Sequence, residues 1–298
     1  MSKVPYKKPA LSYEDQLAKL KQRGLVIDDE ASFLKLLEKK SYFRLSGYWY
    51  PLLSDKDNHV FKPGARFEDA YDIYLFDRNL RQLVVKELEK IEIAIRAKMI
   101  YVFSHQFGPY WYTDFSLFKN NHKLTSTLSK ISEEYQRSDA QFINAFRKKY
   151  SDSLPPSWTT FEIISFGSIS RLFAQTKPGK SKREVSEYFG LDDNTLVSWL
   201  HGLVYVRNVC AHHSRLWNRV MRIQPSIPIK PKNLWLSIRT VPNNKTYYIL
   251  SMILYLLNSI DEANSMVMDL RSLLANYKNV DPAAMGFPKN WGNELLWK

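Results

Sequence analysis

Apolar residues recur at every third or fourth position along most of the chain, which is the spacing of one helix face. The longest such run extends from Phe67 to Ser104 and predicts a spine helix that ends before Gly108 and Pro109. Shorter periodic runs predict further helices at residues 13–24, 29–40, 122–136, 139–149, 159–176, 181–189, 194–212 and 246–276. Heptads and βαβ alternation are missing from the sequence, so the pattern predicts an all-α fold.

Aromatic or proline-containing segments separate these predicted helices. Ser41–Leu53 is interpreted as a packed turn, Ser54–Arg66 as a polar loop, and residues 230–245 are compatible with a short hairpin. A boundary near residue 65 then divides the chain into three parts. They are an N-terminal helical extension (residues 1–65), a helical core (66–280) and a C-terminal tail (281–298).

The charge of the chain points to a polyanionic partner. The formal net charge is +13, and no low-complexity tail carries the excess. A basic folded body of this kind attracts nucleic acid, although a generically basic surface is the alternative. The longest apolar run, Tyr247 to Leu257, is too short to span a bilayer. Without a signal-peptide pattern, a cytoplasmic location with no membrane partner is expected.

Other common chemistries find little support in the sequence. The chain lacks the glycine-rich phosphate loops, paired-cysteine motifs and HExxH, so neither a cofactor nor a metal is predicted. Glu87, Glu89 and Glu92 could hold a metal, but a solvated helix face with interspersed lysines is the favoured interpretation. The single cysteine, Cys210, stands beside His212 as in a Cys–His nucleophile, but cysteine in an apolar helix is usually a small core residue.

One constellation remains, in the segment YVRNVCAHHSRLWNRVMR at residues 205–222. Arg207 precedes His212 by five residues, about 140° apart on an ideal helix. Asn208 and His212 are four apart and share a face. Either the arginine side chain wraps back toward the histidine, or the helix ends near His212 and brings the two together. If the helix continues, a basic stripe continues with it through Arg215 and Arg219.

These residue types suit cleavage of RNA without a metal. The 2′-hydroxyl is then the nucleophile, and the reaction needs a base, an acid and positive charge at the phosphate. Imidazole can perform either proton transfer, and guanidinium is a permanent forked cation that matches phosphate oxygens. The catalytic candidates are therefore Arg207, Asn208 and His212. The RNA-binding candidates are His213, Arg215, Arg219, Arg222 and, in an aromatic segment at residues 42–50 that could stack bases or pack in the core, Arg44.

The same segment resembles a known family. RNVCAH (207–212) fits the R-N-x-x-x-H form of the HEPN ribonuclease motif, and its extension to residue 219 is similar to bacterial abortive-infection proteins of the AbiD/AbiF type. Similar segments follow the same order elsewhere in the chain, at residues 40–52, 87–99, 155–170 and 285–298. Glu162 lies in one of them and could be a buried partner for an arginine.

The resemblance implies a HEPN-type helical bundle with an N-terminal helical extension. It implies a metal-independent endoribonuclease that acts as toxin or effector in phage defence, with Arg207, Asn208 and His212 as its motif. Paired motifs imply a homodimer, and a structured noncoding RNA is expected to restrain the enzyme; no DNA partner is expected. The alternatives are a non-catalytic RNA-binding protein and a helical module that inhibits a host or phage protein.

Overall fold

The computed structural model describes residues 4–238, 240–261 and 263–298. Within these ranges the chain is built of α-helices with one small antiparallel hairpin, which confirms the predicted all-α class. The helices are α1 (Tyr13–Gln22), α2 (Glu30–Lys40), α3 (Tyr42–Trp49), α4 (Phe67–Phe107), α5 (Asn121–Arg137), α6 (Gln141–Lys149), α7 (Ser157–Ile163), α8 (Phe166–Gln175), α9 (Lys180–Tyr188), α10 (Asp193–Ala211), α11 (Thr246–Asn258) and α12 (Met266–Asn276). The strands are β1 (Leu53–Asp55) and β2 (Val60–Phe61). Among the described helices, none combines the length and the apolar character needed to cross a membrane.

The starts of the first two helices follow from their capping residues. The Ser12 hydroxyl accepts the Asp15 N–H at 3.0 Å, and the Asp29 carboxylate accepts the Ser32 N–H at 2.9 Å. Both side chains satisfy amide donors that have no partner within the helix. The predicted helix starts are therefore confirmed at both places.

The segment predicted as a packed turn and polar loop is instead a helix followed by a hairpin. Residues 42–49 form α3, which buries Leu45, Tyr48 and Trp49 on one side. Their spacing is helical, but the aromatic composition and Gly47 obscured it. The following strands pair antiparallel around residues 56–59, so the loop prediction for residues 54–66 is wrong in its first half.

Two segments predicted as single helices are each divided in two. Ser165 separates α7 from α8, and its hydroxyl accepts the Ser168 N–H at 3.3 Å as a new N-cap. The last predicted helix is interrupted between Asn258 and Met266. Apolar spacing continues across both interruptions, so periodicity alone could not show them. The hairpin considered at residues 230–245 is not formed in the described part of that segment, which excludes Arg239.

The chain forms two compact units. The first extends to Asn79 and includes Leu273–Asp281, and the second comprises Leu80–Ser272 and Pro282–Lys298. The predicted division of the chain at residues 65 and 280 stays a prediction. In the second unit α10 packs against α8, α9 and α11, and every residue from Thr246 to Leu257 on α11 is buried. A helix that is apolar on all sides belongs in a core, and α11 forms the centre of this one.

A buried lysine closes the end of α8. The Lys182 ammonium donates to the carbonyls of Thr176 at 3.0 Å and Ala174 at 3.3 Å, and lies 5.0 Å from the Phe173 ring. These carbonyls belong to the last turn, where no helical N–H remains to satisfy them. Burial, with repulsion from Lys119 as a smaller cause, lowers the pKa of Lys182 to about 8.

Candidate functional site

Helix α10 carries the predicted catalytic residues, and its first turn is firmly capped. The Asp192 carboxylate accepts the N–H groups of Asn194 and Thr195, both at 3.0 Å. Burial opposes ionisation of this carboxyl, but the hydrogen bonds from Thr195 and Asn194 prevail and lower its pKa. One face of the helix is buried along its length, through Leu196, Trp199, Leu200, Leu203 and Val206. The helix is therefore a fixed support for residues on its opposite face.

The three motif residues occupy the last turn of α10 and its C-cap. Asn208 and His212 are exposed, and Arg207 is half-buried at the edge of the packed face. The His212 N–H donates to the Asn208 carbonyl at 3.0 Å, which keeps the two residues one turn apart on the same face. Within the described chain, the side chains of these three residues make no hydrogen bond or ion pair. They are available for a ligand.

The helix ends directly after the motif. His213 adopts φ 54°, and its N–H donates to the Cys210 carbonyl at 2.9 Å, while the Ser214 N–H donates to Val209 at 2.9 Å. This pair of bonds is a Schellman cap, in which the left-handed position usually holds glycine. Of the two possibilities open in the sequence, the helix end near His212 is thus the one observed.

After this cap the chain turns back along α10, so the condition for a helical stripe through Arg215 and Arg219, a helix that continues past His212, is not met. Arg219 donates from Nε to the Tyr205 hydroxyl at 3.1 Å and from Nη1 to the Arg215 carbonyl at 3.1 Å. Tyr205 lies seven residues before His212 and on the same face. The reversal, rather than a continuing helix, therefore places the Arg219 guanidinium on the motif side of α10.

The returning segment remains against α10 for several more residues. A Cβ added at Gly202 would lie 2.8 Å from Pro225 Cγ, so the helix needs glycine where the proline passes. Beyond it, Trp199 Nε1 donates to the Ser226 carbonyl at 2.8 Å. These contacts fix the path of the segment that carries the arginines.

The remaining predicted RNA-binding residues have different surroundings. Arg215 is half-buried, whereas Arg222 and His213 are exposed in the same segment. Arg44 belongs to the other compact unit, where its guanidinium lies 5.8 Å from the Tyr74 ring centre. The structure thus gathers all but Arg44 of the predicted site in one segment of the second unit.

Two neighbours of the site were not predicted. Tyr205 holds Arg219, and its i+7 relation to His212 was a signal in the sequence that could have identified it. Arg171 on α8 is the other: a Cβ at Gly167 would lie 3.7 Å from both Arg171 Nη1 and Val204 Cγ1. Val204 is one turn before Asn208 on α10, so Arg171 adds a cation beside the motif helix. Only tertiary packing of α8 on α10 reveals it.

The carboxylates weighed as a metal site do not form one face. Glu87 is completely buried, with the ammonium groups of Lys86 and Lys90 at 3.3 and 3.1 Å, so its predicted solvation is wrong. Glu92 pairs with Arg96 at 2.6 Å, while Glu89 is exposed. The described residues contain no group of three or more His, Cys, Asp or Glu side chains arranged to hold a metal.

Two minor interpretations are also settled by burial. Cys210 is buried on the packed face of α10, as expected of a small core residue rather than of an accessible nucleophile. Glu162 is exposed on α7, so the suggestion that it is a buried partner for an arginine is wrong. The nearby arginine, Arg96, donates instead to the Ile164 carbonyl at 3.0 Å.

The site is strongly cationic. Residues 205–222 contain four arginines and no aspartate or glutamate. The carboxyl-terminal end of α10 also favours positive groups, because the helix dipole is negative there. An exposed imidazole, an amide and several guanidinium groups on one basic surface can transfer protons and bind phosphate.

Fold and site together define an all-α protein that presents an Arg–Asn–His group at the end of a helix with one face packed in the core. The model of the Abi-like protein family matches residues 35–218, which is more than half of the chain and includes the whole of α10. The chain therefore belongs to the Abi-like protein family, and this membership supports a role in abortive infection. No curated protein and no solved structure matches the chain.

Proposed function

We propose that this protein is a metal-independent endoribonuclease of the HEPN type, acting as a toxin or effector in abortive infection. The observation that carries the proposal is the placement of Arg207, Asn208 and His212 at an exposed helix end, without partners among the described residues. Functional polar groups must be accessible and uncommitted to bind a substrate. The fit of RNVCAH to the HEPN motif supports the same activity.

In this proposal His212 transfers protons and Arg207 stabilises charge. Removal of the proton from the RNA 2′-hydroxyl lets its oxygen bond to the adjacent phosphorus, while the bond from phosphorus to the 5′-oxygen breaks. The departing oxygen takes up a proton from an acid, so the products are a 2′,3′-cyclic phosphate and a 5′-hydroxyl. Arg207 binds the phosphate oxygens as negative charge accumulates on them, and Asn208 orients the imidazole or the phosphate.

The other cations bind the RNA backbone. His213, Arg215, Arg219 and Arg222 follow the motif directly, and the contact of Arg219 with Tyr205 places it on the motif side of α10. Phosphate neutralisation by such groups is independent of sequence and weakens with salt. An enzyme of this charge needs restraint in the cell, and we propose that a structured noncoding RNA bound to the basic surface supplies it.

Alanine variants of the motif test the activity. His212→Ala should reduce RNA cleavage about 10²–10⁴-fold, the usual loss for a positioned acid–base group, and Arg207→Ala should reduce it to a similar extent. Both side chains are at least partly exposed, so the variants should unfold at the same urea concentration as the wild type. His201→Ala is the matched control, because His201 is an exposed histidine three turns earlier on the same face of α10.

The outcome also separates the alternative functions. Full cleavage by His212→Ala would contradict the catalytic assignment. RNA binding without any cleavage by the wild type would identify a non-catalytic RNA-binding protein. A protein partner that remains bound after nuclease treatment, with no copurified RNA, would identify an inhibitory interaction module.

A further inference from the structure

A groove of about 540 Å³ lies in the first compact unit, between α1, α3, the hairpin and the segment before α1. Its floor is apolar and buried, formed by Leu20, Trp49, Leu53 and Phe61. Its volume is in the range of pockets that hold small organic groups. None of the proposed catalytic residues lines it, so it is a site separate from the α10 motif.

Aromatic rings stand exposed around this groove. Phe43 is 89% exposed, Tyr6 is 84% exposed and Tyr50 is 46% exposed. Phe43 and Tyr50 belong to the same segment that buries Tyr48 and Trp49, so the segment divides its rings between the core and the groove. Large rings grouped at one exposed place mark an interaction site more often than isolated ones do.

The polar lining of the groove is cationic. Its charged members are Lys8, Lys19 and Arg23, and the described lining residues include no aspartate or glutamate. Arg23 is oriented by donating from Nη1 to the Tyr42 hydroxyl at 3.4 Å. Lys56 lies 5.3 Å from the Tyr50 ring centre and adds another cation beside the rim. An occupant must therefore offer both apolar flat surface and negative charge.

We infer that this groove binds unpaired nucleobases, with the adjoining phosphates held by Lys19, Arg23 and Lys8. Any of the bases can stack on an exposed aromatic ring, and phosphates supply the negative charge that complements the lysines and the arginine. A peptide would satisfy the apolar floor, but only an acidic one would satisfy the rim. The inference deepens the proposed function, since it gives the enzyme a second RNA contact in its N-terminal unit.

The test measures binding of a labelled, unstructured 12-nucleotide RNA by fluorescence anisotropy, in the His212→Ala background so that cleavage cannot interfere. Adding Phe43→Ala should weaken binding at least about fivefold, the effect of losing one stacked base, without changing the salt dependence. Adding Lys19→Glu should weaken binding and also lower the slope of log affinity against log salt by about one phosphate contact. A DNA oligonucleotide of the same sequence shows whether the 2′-hydroxyl contributes.

Matched controls lie in the second compact unit. Phe142→Ala removes another exposed ring and Lys130→Glu reverses another exposed lysine, and neither should alter the affinity. If Phe43→Ala and Lys19→Glu leave the RNA affinity of the His212→Ala protein unchanged, the inference is overturned. It is also overturned if the control substitutions lower the RNA affinity equally. A protein that binds the chain and is lost with Phe43→Ala, while RNA binding persists, would also overturn it.

Failure of this inference is distinguishable from failure of the proposed function. Cleavage that depends on His212, with RNA binding that does not depend on Phe43, would support the endoribonuclease activity and contradict RNA binding in the groove. RNA binding that depends on Phe43, in a protein that cleaves no RNA, would support the groove as an RNA-binding site and contradict the endoribonuclease activity.

Discussion

At the scale of single residues, His213 has a strained backbone conformation directly beside the proposed site. Its φ of 54° lies in the left-handed region, which costs a residue with a Cβ roughly 1–2 kcal/mol. Glycine is the usual solution at this place in a Schellman cap. Strain retained beside exposed functional groups suggests that the imidazole has a use, and we propose that it binds RNA.

His213→Gly should therefore separate stability from function. Relief of the left-handed backbone outweighs the roughly 0.4–1 kcal/mol that glycine gives to the unfolded chain, so the free energy of unfolding of His213→Gly should exceed that of His213→Ala, which loses the same imidazole, by about 0.5 kcal/mol. His213→Val should instead lower it by about 1 kcal/mol or more, because a β-branched side chain tolerates this conformation poorly. Urea denaturation measures both, and RNA affinity should fall in both.

Asn218 provides the comparison for His213. It also has a left-handed backbone, with φ 48°, but asparagine adopts this region more readily. Asn218→Gly should accordingly change stability less than His213→Gly. A His213→Gly variant that is less stable than His213→Ala, or an unchanged affinity for RNA, would contradict the interpretation of His213 as a strained binding residue.

The motif residues could be predicted from the sequence because their chemistry and helical spacing are local. Arg207, Asn208 and His212 need only α10 and its end to be placed. Arg219 could be chosen by residue type, but its route to the site through Tyr205 depends on a chain reversal that the periodicity did not show. Arg171 could not be predicted, since only the packing of α8 on α10 brings it near.

At the scale of elements, the long amphipathic helices were predictable because burial follows their periodicity. The errors fall where apolar spacing continues through a break, at Ser165 and between α11 and α12, or where aromatic residues hide a helix, as in α3. In these places capping and tertiary contacts decide the structure. The end of α8 is one such place, where Lys182 completes the helix from a separate element.

Lys182 should make stability depend on pH in a defined direction. Its folded pKa is about 8, below the ordinary value of 10.5, so between these pH values the unfolded chain binds more protons than the folded one. The free energy of unfolding should therefore rise with pH through this window, by roughly 1–3 kcal/mol from this group. Burial raises the pKa of Tyr112 from 10.0 to about 12, so stability should fall again above pH 10.

Urea denaturation at pH 7.5, 8.5 and 9.5 tests this prediction. Lys182→Met should remove the rise, because methionine keeps much of the apolar stem without the titrating ammonium. Lys180→Met should retain it, since Lys180 is an exposed lysine on the same helix. The same pH profile in wild type and Lys182→Met would show that the buried ammonium is not responsible.

At the scale of the whole molecule, each chain presents one Arg207–His212 pair. Acid and base on opposite sides of a phosphate are most simply supplied by two imidazoles. We therefore expect a homodimer in which a two-fold axis brings two copies of the motif to one cleft. Light scattering should give twice the chain mass of 35.0 kDa for the active species. A fully active monomer would refute the paired site.

We propose above all that this Abi-like protein cleaves RNA with its own imidazole and guanidinium groups. The most direct measurement is the mapping of product ends after the wild-type protein is incubated with a defined RNA in excess EDTA. We predict 2′,3′-cyclic phosphate and 5′-hydroxyl ends, formed in EDTA by the wild type and by His201→Ala, and lost with His212→Ala. Ends with a 5′-phosphate, or cleavage that appears only when magnesium is restored, would contradict the claim.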